Sequence, residues 1–403
     1  MQHGGAKGPG NAKMPPLKNC DIKVAFVLDE KLWQGGRSYL RNLLSAIHAL
    51  PDADMTPIIF AGKLAGDLSR EFPGAFVIRT PILDPNSAAS IVRKAVRKLT
   101  FQDGVMSRFL RKQDISVLSH SGHIGGRTAI RTIGWVPDFQ HVHLAELFSP
   151  AEIRHRDRMY RNMCAHCDKV IVSSECAGKD LEKFAPQYAH KAAVLKFVAN
   201  PAPIEDAACL ADLQRLYNFD EPYFLLPNQF WIHKNHRVVI RALEILNHNG
   251  LRLKVLATGA TNDYRHPTYF SSLMDYAKEC GVMENFRVLG PVPFDHLIGL
   301  MQHAVAFINP SKFEGWSTTV EEAKSMGKQI ILSDIPVHQE QAPARGIFFP
   351  ATNPDALAQA MLTAIKGFDE KADLDMQEQA RQRFPSRQIE FGETYVRIVR
   401  DLV

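Results

Sequence analysis

Cysteine is scarce in this chain of 403 residues. Cys20, Cys164, Cys167, Cys176, Cys209 and Cys280 are too few and too scattered to frame a disulfide-built fold, which points to a reducing, cytoplasmic setting. Cys164 and Cys167 form a Cys-x-x-Cys, but no second Cys or His pair follows at zinc-finger spacing, so they read as the end of a helix before the strand-like run 168–174. No apolar run approaches the length of a membrane span. No Gly-x-Gly-x-x-Gly follows the first strand-like run, which counts against a nicotinamide-dependent enzyme. An aromatic platform or a recognisable nucleic-acid module is also missing, so no nucleic-acid partner is expected. Residues 1–20 are rich in Gly and Pro without an apolar stretch and read as a disordered tail, not a signal peptide.

What is present is alternation. Apolar runs of strand length recur at 21–28, 55–62, 75–80, 115–120, 131–138 and 168–174, with helical patterns between them. After a Pro-containing, acidic stretch at 201–222 the alternation restarts at 223–230, 253–259, 286–290, 304–310, 329–333 and 346–350. Alternation of this kind predicts parallel sheets, and 45% hydrophobic residues over this length supply two cores. The expected organisation is an α/β domain over 21–200, a linker over 201–222, a second α/β domain over 223–384 and a helix over 385–403.

Charge divides along the same line. Residues 1–200 hold 28 Lys and Arg against 18 Asp and Glu, and the remainder 20 against 25, so the halves carry +10 and −5. Much of the excess lies in 90–113, where Arg93, Lys94, Arg97, Lys98, Arg108, Arg111 and Lys112 interleave with Ile91, Val92, Val96, Leu99, Phe109 and Leu110. Two readings compete: a solvated helical face, and an amphipathic stretch lying on an anionic membrane surface, where each basic residue contributes about 1 kcal/mol.

The densest constellation is FEGWSTTVEEAKSMGK, Phe313 to Lys328. A strand-like run ending in Asn-Pro-Ser precedes it and another buried strand follows, so it reads as strand, loop, helix, strand. Thr318 with Glu321 and Thr319 with Glu322 both have capping-box spacing, and Gly327 is placed to end the helix. Beyond the carboxyl end of a parallel strand, such a loop offers unpaired N–H groups to an anion. In the first half, Gly35 and Gly36 precede a helical stripe of Leu40, Leu43, Leu44 and Ile47; a close approach to a ligand and a plain tight turn are the alternatives.

The spacing Glu314-x7-Glu322, the Pro-Ser before it and the SDIPVH after it resemble the retaining GT-B glycosyltransferases of family 4, the glycosyl transferases group 1 that include sucrose and mannosyl transferases and bacterial surface-polysaccharide enzymes. The resemblance implies two Rossmann-like domains with parallel sheets facing a cleft. It implies that Glu322 holds ribose hydroxyls of a nucleotide, with Glu321 as its rival, and that Glu314 lies by the donor sugar. The loop Gly315, Trp316, Ser317, Thr318 and Thr319 supplies donors, and Gly35 and Gly36 match the first-domain glycine loop. Similar enzymes carry an Arg and a Lys that grip the diphosphate; Lys234 matches and Gln229 stands at the Arg position, so Arg37 or His233 is expected to help. Where similar enzymes have a His-Asp pair, this chain has Pro137 and Asp138, with His141 as the candidate substitute.

The implied reaction moves a hexose from a GDP- or UDP-linked donor to a glycan or lipid-linked glycan at the inner face of a membrane. No metal or cofactor is expected, because the Asp-x-Asp triplets at Asp52/Asp54 and Asp373/Asp375 lie away from strand ends. Two alternatives stay open: a nucleotide-sugar epimerase of the same shape, and a catalytically weak scaffold in a membrane assembly.

Overall fold

The computed structural model describes residues 22–28, 34–51, 53–63, 65–72, 74–100, 102–122, 124–125, 128–200, 207–219 and 222–403. The expected tail, residues 1–20, lies outside the described residues, as does Asp52.

The first sheet has seven strands: β1 (Ile22–Val27), β2 (Met55–Ala61), β3 (Phe76–Arg79), β4 (Val117–Ser119), β5 (Arg131–Val136), β6 (Lys169–Val172) and β7 (Ala192–Val194), in the order β3-β2-β1-β4-β5-β6-β7. The second has six: β8 (Tyr223–Pro227), β9 (Lys254–Thr258), β10 (Phe286–Gly290), β11 (Phe307–Asn309), β12 (Ile330–Ser333) and β13 (Gly346–Phe349), in the order β10-β9-β8-β11-β12-β13. Every pairing is parallel. Parallel strands joined by helical crossovers are covered on both faces, which is why central strands such as FIN and IILS are buried at every position. In each sheet the strand order reverses, between β1 and β4 and between β8 and β11, and a crevice opens at such a point beyond the carboxyl ends. Here the two crevices face each other.

Three elements depart from the sequence reading. The stretch 201–222 holds a helix, Leu210–Tyr217, whose Leu213 is buried against the second domain. The last helix begins at Glu370, runs to Arg400 and contains Pro385. It buries Phe391, Tyr395, Val396 and Val399 in the first-domain core, where each large apolar side chain contributes on the order of 1.5–3 kcal/mol. At its other end Asp373 is buried between Lys328 and Arg345, so this Asp-x-Asp member is a structural anchor.

The basic stretch 90–113 is two helices, Ala88–Thr100 and Gly104–Lys112, broken where Asp103 caps the second by accepting from the Met106 N–H at 3.2 Å. In the first of them Arg93 is half-buried beside a cavity at the edge of the first sheet, Lys94 and Arg97 border the same edge and are exposed, and Ile91, Val92 and Leu99 are 58%, 55% and 81% exposed.

Candidate active site

Each wall of the cleft is built by a strand end. After β11, the segment 310–317 crosses to the helix Thr318–Met326, whose cap is Ser317 and neither threonine: the Ser317 hydroxyl accepts from the Val320 N–H at 3.4 Å. Gly327 ends this helix in the left-handed region at φ 68°, a conformation that costs glycine little. A buried polar network holds the turn. Asn309 donates to the Ser317 hydroxyl at 2.6 Å, and the Gln341 amide accepts from Ser317 N at 3.1 Å and donates to Ser317 O at 3.0 Å. His338 donates through Nδ1 to Ser333 O at 2.9 Å, and burial lowers its pKa, so it serves as a neutral strut. The Ser317 N–H is thereby occupied, whereas the Thr318 and Thr319 N–H groups have no acceptor among the described residues.

Gly315 is one of the points where the domains touch. A Cβ there would lie 2.1 Å from Pro137 O and 2.8 Å from Asp138 Cβ, so any side chain would push the second-domain loop off the end of β5. The neighbouring Trp316 donates its indole N–H to Phe197 O at 3.0 Å and packs in the first-domain core. Trp316 is thus an interdomain anchor as well as a wall.

The cavity so formed has a volume of about 410 Å³ and gathers Gly35, Asp138, Gln229, Lys234, Glu314, Gly315, Trp316, Ser317, Thr318, Thr319 and Glu322 from both domains. Lys234 donates to Glu314 Oε1 at 2.5 Å, and the Ser311 hydroxyl lies 2.7 Å from the same oxygen. Burial would raise the Glu314 pKa, but the Lys234 charge and the hydrogen bonds from Lys234 and Ser311 outweigh it and hold the carboxyl below its ordinary value. It stands ionised beside the cleft.

The two glutamates at the middle of the helix separate cleanly. Glu321 is 1% exposed and fully engaged: Arg387 from the last helix binds one oxygen, and Lys324 and Gln341 donate to the other, each at 3.1 Å. Glu322 lines the cavity, is half-buried and has no hydrogen-bond or ionic partner among the described residues; burial pushes its pKa up to about 7. A carboxylate held out of water without a donor is a vacancy for one. Of the two, Glu322 is the one that faces the cavity.

Other placements differ from the sequence reading. Gly35 and Gly36 lie in the first turn of the helix Gln34–His48, not in a loop before it, and Gly36 does not reach the cavity. Arg37 is turned away to Glu71, donating through Nε at 2.8 Å, so it does not help Lys234. His141 is 1% exposed, packs beside Phe139, Tyr160 and Phe184, and sits 3.1 Å from Asp157, outside the cleft. The short helix Gln140–His143, which begins two residues after Asp138, carries it into that cluster. Asp138 accepts from the Gln140 N–H at 2.9 Å and still lines the cavity.

His233 does line it. Burial first, then the Lys234 charge, lowers its pKa to about 3, so it is neutral, and its Nδ1 lacks a partner among the described residues. Asn228, missed in the sequence, presents a buried Nδ2 with no partner among the described residues at the same wall. Tyr39 and Trp135, stacked at 4.4 Å, close the first-domain side, and Leu297 and Met301 close the opposite end. Asn228 sits directly after a buried strand, at the switch point, and that position was its available signal.

Residues 214–383 match the family model described as "Glycosyl transferases group 1". Among solved structures, the chain is similar to a glycosyltransferase from Rickettsia africae, at 18% identity and a TM-score of 0.62 over 95% of this chain and 97% of that one. It is similar to Anabaena Alr3699/HepE in complex with UDP and glucose, at 14% identity and a TM-score of 0.65 over 94% and 100%. A third is WaaG, a glycosyltransferase involved in lipopolysaccharide biosynthesis, at 15% identity and 0.56 over 92% and 95%. The search of curated proteins gives no match. With a glycosyl transferases group 1 domain matched over residues 214–383 and two parallel sheets arranged as in these neighbours, the chain is a glycosyltransferase of GT-B fold.

Proposed function

We propose that the chain moves a hexose from a nucleoside diphosphate donor to a glycan or lipid-linked glycan, with retention of configuration and without a metal. The observation that carries the reading is the unpartnered Glu322 carboxylate, in one cavity with the Lys234–Glu314 pair and the unbonded Thr318 and Thr319 amides. Glu322 accepts from the two ribose hydroxyls. The helix N-terminus at Thr318 and Thr319, Asn228 Nδ2 and Lys234 take the diphosphate, whose charge grows as the sugar C1–O bond breaks. Leu297 and Met301 offer an apolar wall to the base. Glu314, once Lys234 turns to the phosphate, orients the sugar and stabilises positive charge at C1 without attacking it. The leaving phosphate oxygen takes the acceptor's proton on the same face, which retains the anomeric configuration.

UDP is the preferred nucleotide, because the similar Anabaena structures hold UDP, UDP with glucose, and UDP-glucose. A surface-glycan setting draws on the likeness to WaaG, and the exposed Ile91, Val92 and Leu99 beside Lys98 offer an apolar ridge to an anionic membrane. No described helix is long and apolar enough to cross one.

Thermal shift against UDP, GDP and their sugar conjugates tests the donor, since a ligand at 100 times its Kd adds about 2.7 kcal/mol. Proton NMR of the first product gives the anomer; inversion overturns the mechanism, and an epimerised sugar formed from donor alone replaces transfer with epimerisation. Flotation with anionic vesicles tests the ridge, and Val92→Ser/Leu99→Ser is expected to abolish it.

A further inference from the structure

The short helix Gln140–His143 starts at the first-domain wall of the donor cleft, and the amide of its first residue has no role so far. Gln140 is 9% exposed and lines the cleft together with Asp138 and Glu314. Its backbone N–H is bound to Asp138 at 2.9 Å and its backbone carbonyl accepts from Leu144 N at 2.8 Å, so the side-chain amide is what remains for a ligand. That amide is held from the other domain. Arg265, on the loop 259–268 after β9, donates through Nη1 to Gln140 Oε1 at 3.2 Å.

The Arg265 side chain is itself built in. It is 6% exposed, its guanidinium carbon lies 4.8 Å from the Phe148 ring centroid and 5.4 Å from that of Trp231, and its Nε sits 3.5 Å from the buried Asp263 carboxylate. From the same loop His266 donates through Nε2 to the Leu147 carbonyl at 3.3 Å, a second tie to the first domain. A guanidinium has five N–H groups and no acceptor, so the amide oxygen of Gln140 faces Arg265 and the amide NH₂ is turned away from it. Gln140 Nε2 has no acceptor among the described residues and is left to the cleft that the residue lines. The wall thereby offers a donor in Gln140 Nε2 and, two residues earlier, an acceptor in the Asp138 carboxylate. Such a pair suits hydroxyl groups, which both accept and donate.

We propose that Gln140 is a specificity-determining residue that donates from Nε2 to a hydroxyl of the donor hexose, and that Arg265 is the positioning residue that fixes the amide for it. The assignment rests on the glycosyltransferase reading of the cleft. With the diphosphate between Lys234 and the Thr318 and Thr319 amides, and the base toward Leu297 and Met301, the sugar lies where Glu314 faces the first domain. Gly315 marks that contact, because a Cβ on it would lie 2.8 Å from Asp138 Cβ. Glu314 and the Asp138–Gln140 wall therefore border the same part of the cavity. The seat is complete only with the domains together, since the amide belongs to one and the guanidinium to the other.

The test is calorimetric titration of UDP and of UDP-glucose into the full chain. Gln140→Leu is expected to weaken UDP-glucose about tenfold and to leave UDP within about twofold, the loss of one hydrogen bond to the sugar. Gln140→Met keeps the length of the side chain and removes its amide; it should show the same split, and it serves if the leucine variant does not fold. Equal weakening of both ligands, or of neither, in a folded variant overturns the contact.

Arg265→Met tests the positioning role. Alone it should weaken UDP-glucose and spare UDP; added to Gln140→Leu it should change neither further, because its effect runs through the amide. Additive losses make Arg265 a structural residue and overturn its role. Among UDP-glucose analogues lacking a single hydroxyl, one should bind the wild type about tenfold less tightly than UDP-glucose does and should bind Gln140→Leu as UDP-glucose does. Equal losses on both proteins for every analogue overturn the hydroxyl contact. A wild type that binds neither UDP nor UDP-glucose strikes the donor reading, whereas one that binds UDP and not UDP-glucose leaves that reading standing and overturns the sugar seat.

Discussion

The two walls of the central cleft hold their cations in opposite ways. On the second domain, Lys234 is locked onto Glu314, and the pair is neutral until a phosphate competes for the ammonium. On the first, Lys63, Lys94 and Arg97 border a groove with no carboxylate partner among the described residues. A paired cation is positioned but silent at a distance; an unpaired one acts out to a Debye length of about 8 Å at physiological ionic strength. The difference follows the charge division of +10 and −5 between the halves of the chain. It teaches that one wall holds its cation in a fixed place against a carboxylate, while the other leaves its cations at the surface.

The strongest way to break the comparison is Lys234→Ala. It removes the diphosphate cation and strands Glu314 in a site that burial makes hostile to charge, so kcat/KM for UDP-glucose should fall about 10²–10³-fold or more. Melting curves should drop too, and Lys234→Ala/Glu314→Gln should recover stability without recovering turnover. Recovery of turnover in that double variant would make the pair purely structural.

Next is Glu321→Ala, which leaves Arg387 and Lys324 without their carboxylate. A loss of roughly 3 kcal/mol in urea unfolding is expected, with UDP affinity little changed in the folded fraction. If UDP binding collapses instead, Glu321 is the ribose ligand and its neighbour is not.

Glu322→Gln sharpens the contrast from the other side. UDP affinity should fall about 10- to 100-fold, as two hydrogen bonds to a charged acceptor weaken. Stability should move the opposite way. Burial raises the folded pKa to about 7, so the wild type loses stability as pH climbs from the unfolded value through about 7, and the loss is complete above that. The Gln variant has no such loss, and its advantage at pH 8 should reach on the order of 3 kcal/mol at most. UDP binding to the wild type should tighten from pH 6 to pH 8, and calorimetry on the variant should show that dependence gone.

The smallest effect belongs to His141→Asn, which should leave kcat within about twofold, because the ring lies in the core beside Tyr160 and only local packing, typically worth 0.5–3 kcal/mol, is disturbed. A large loss of kcat with unchanged KM would bring His141 back to the chemistry.

These neighbours also show what can be read from a chain. Gly327 ends its helix and β11 runs into the loop carrying Glu314, both legible because caps and apolar runs are properties of adjacent residues. Asn228 escaped notice because its signal is an unmet hydrogen bond in a folded interior, with Thr319 at 3.4 Å supplied from 91 residues away. Gly36 was overcounted because a glycine pair looks alike in a loop and in the first turn of a helix.

By itself the sequence determined two parallel sheets, since strands buried on both faces must be apolar throughout, and a loop and helix bearing Glu314 and Glu322, since caps and stops act over a few residues. The tertiary structure decided which glutamate is free, because the Arg387 that claims Glu321 lies 66 residues further along the chain. It decided that Arg93 of the helix Ala88–Thr100 packs against Asp103 while Ile91, Val92 and Leu99 stay exposed, because helical spacing sets which side chains share a face and only packing against the rest of the fold sets where that face points.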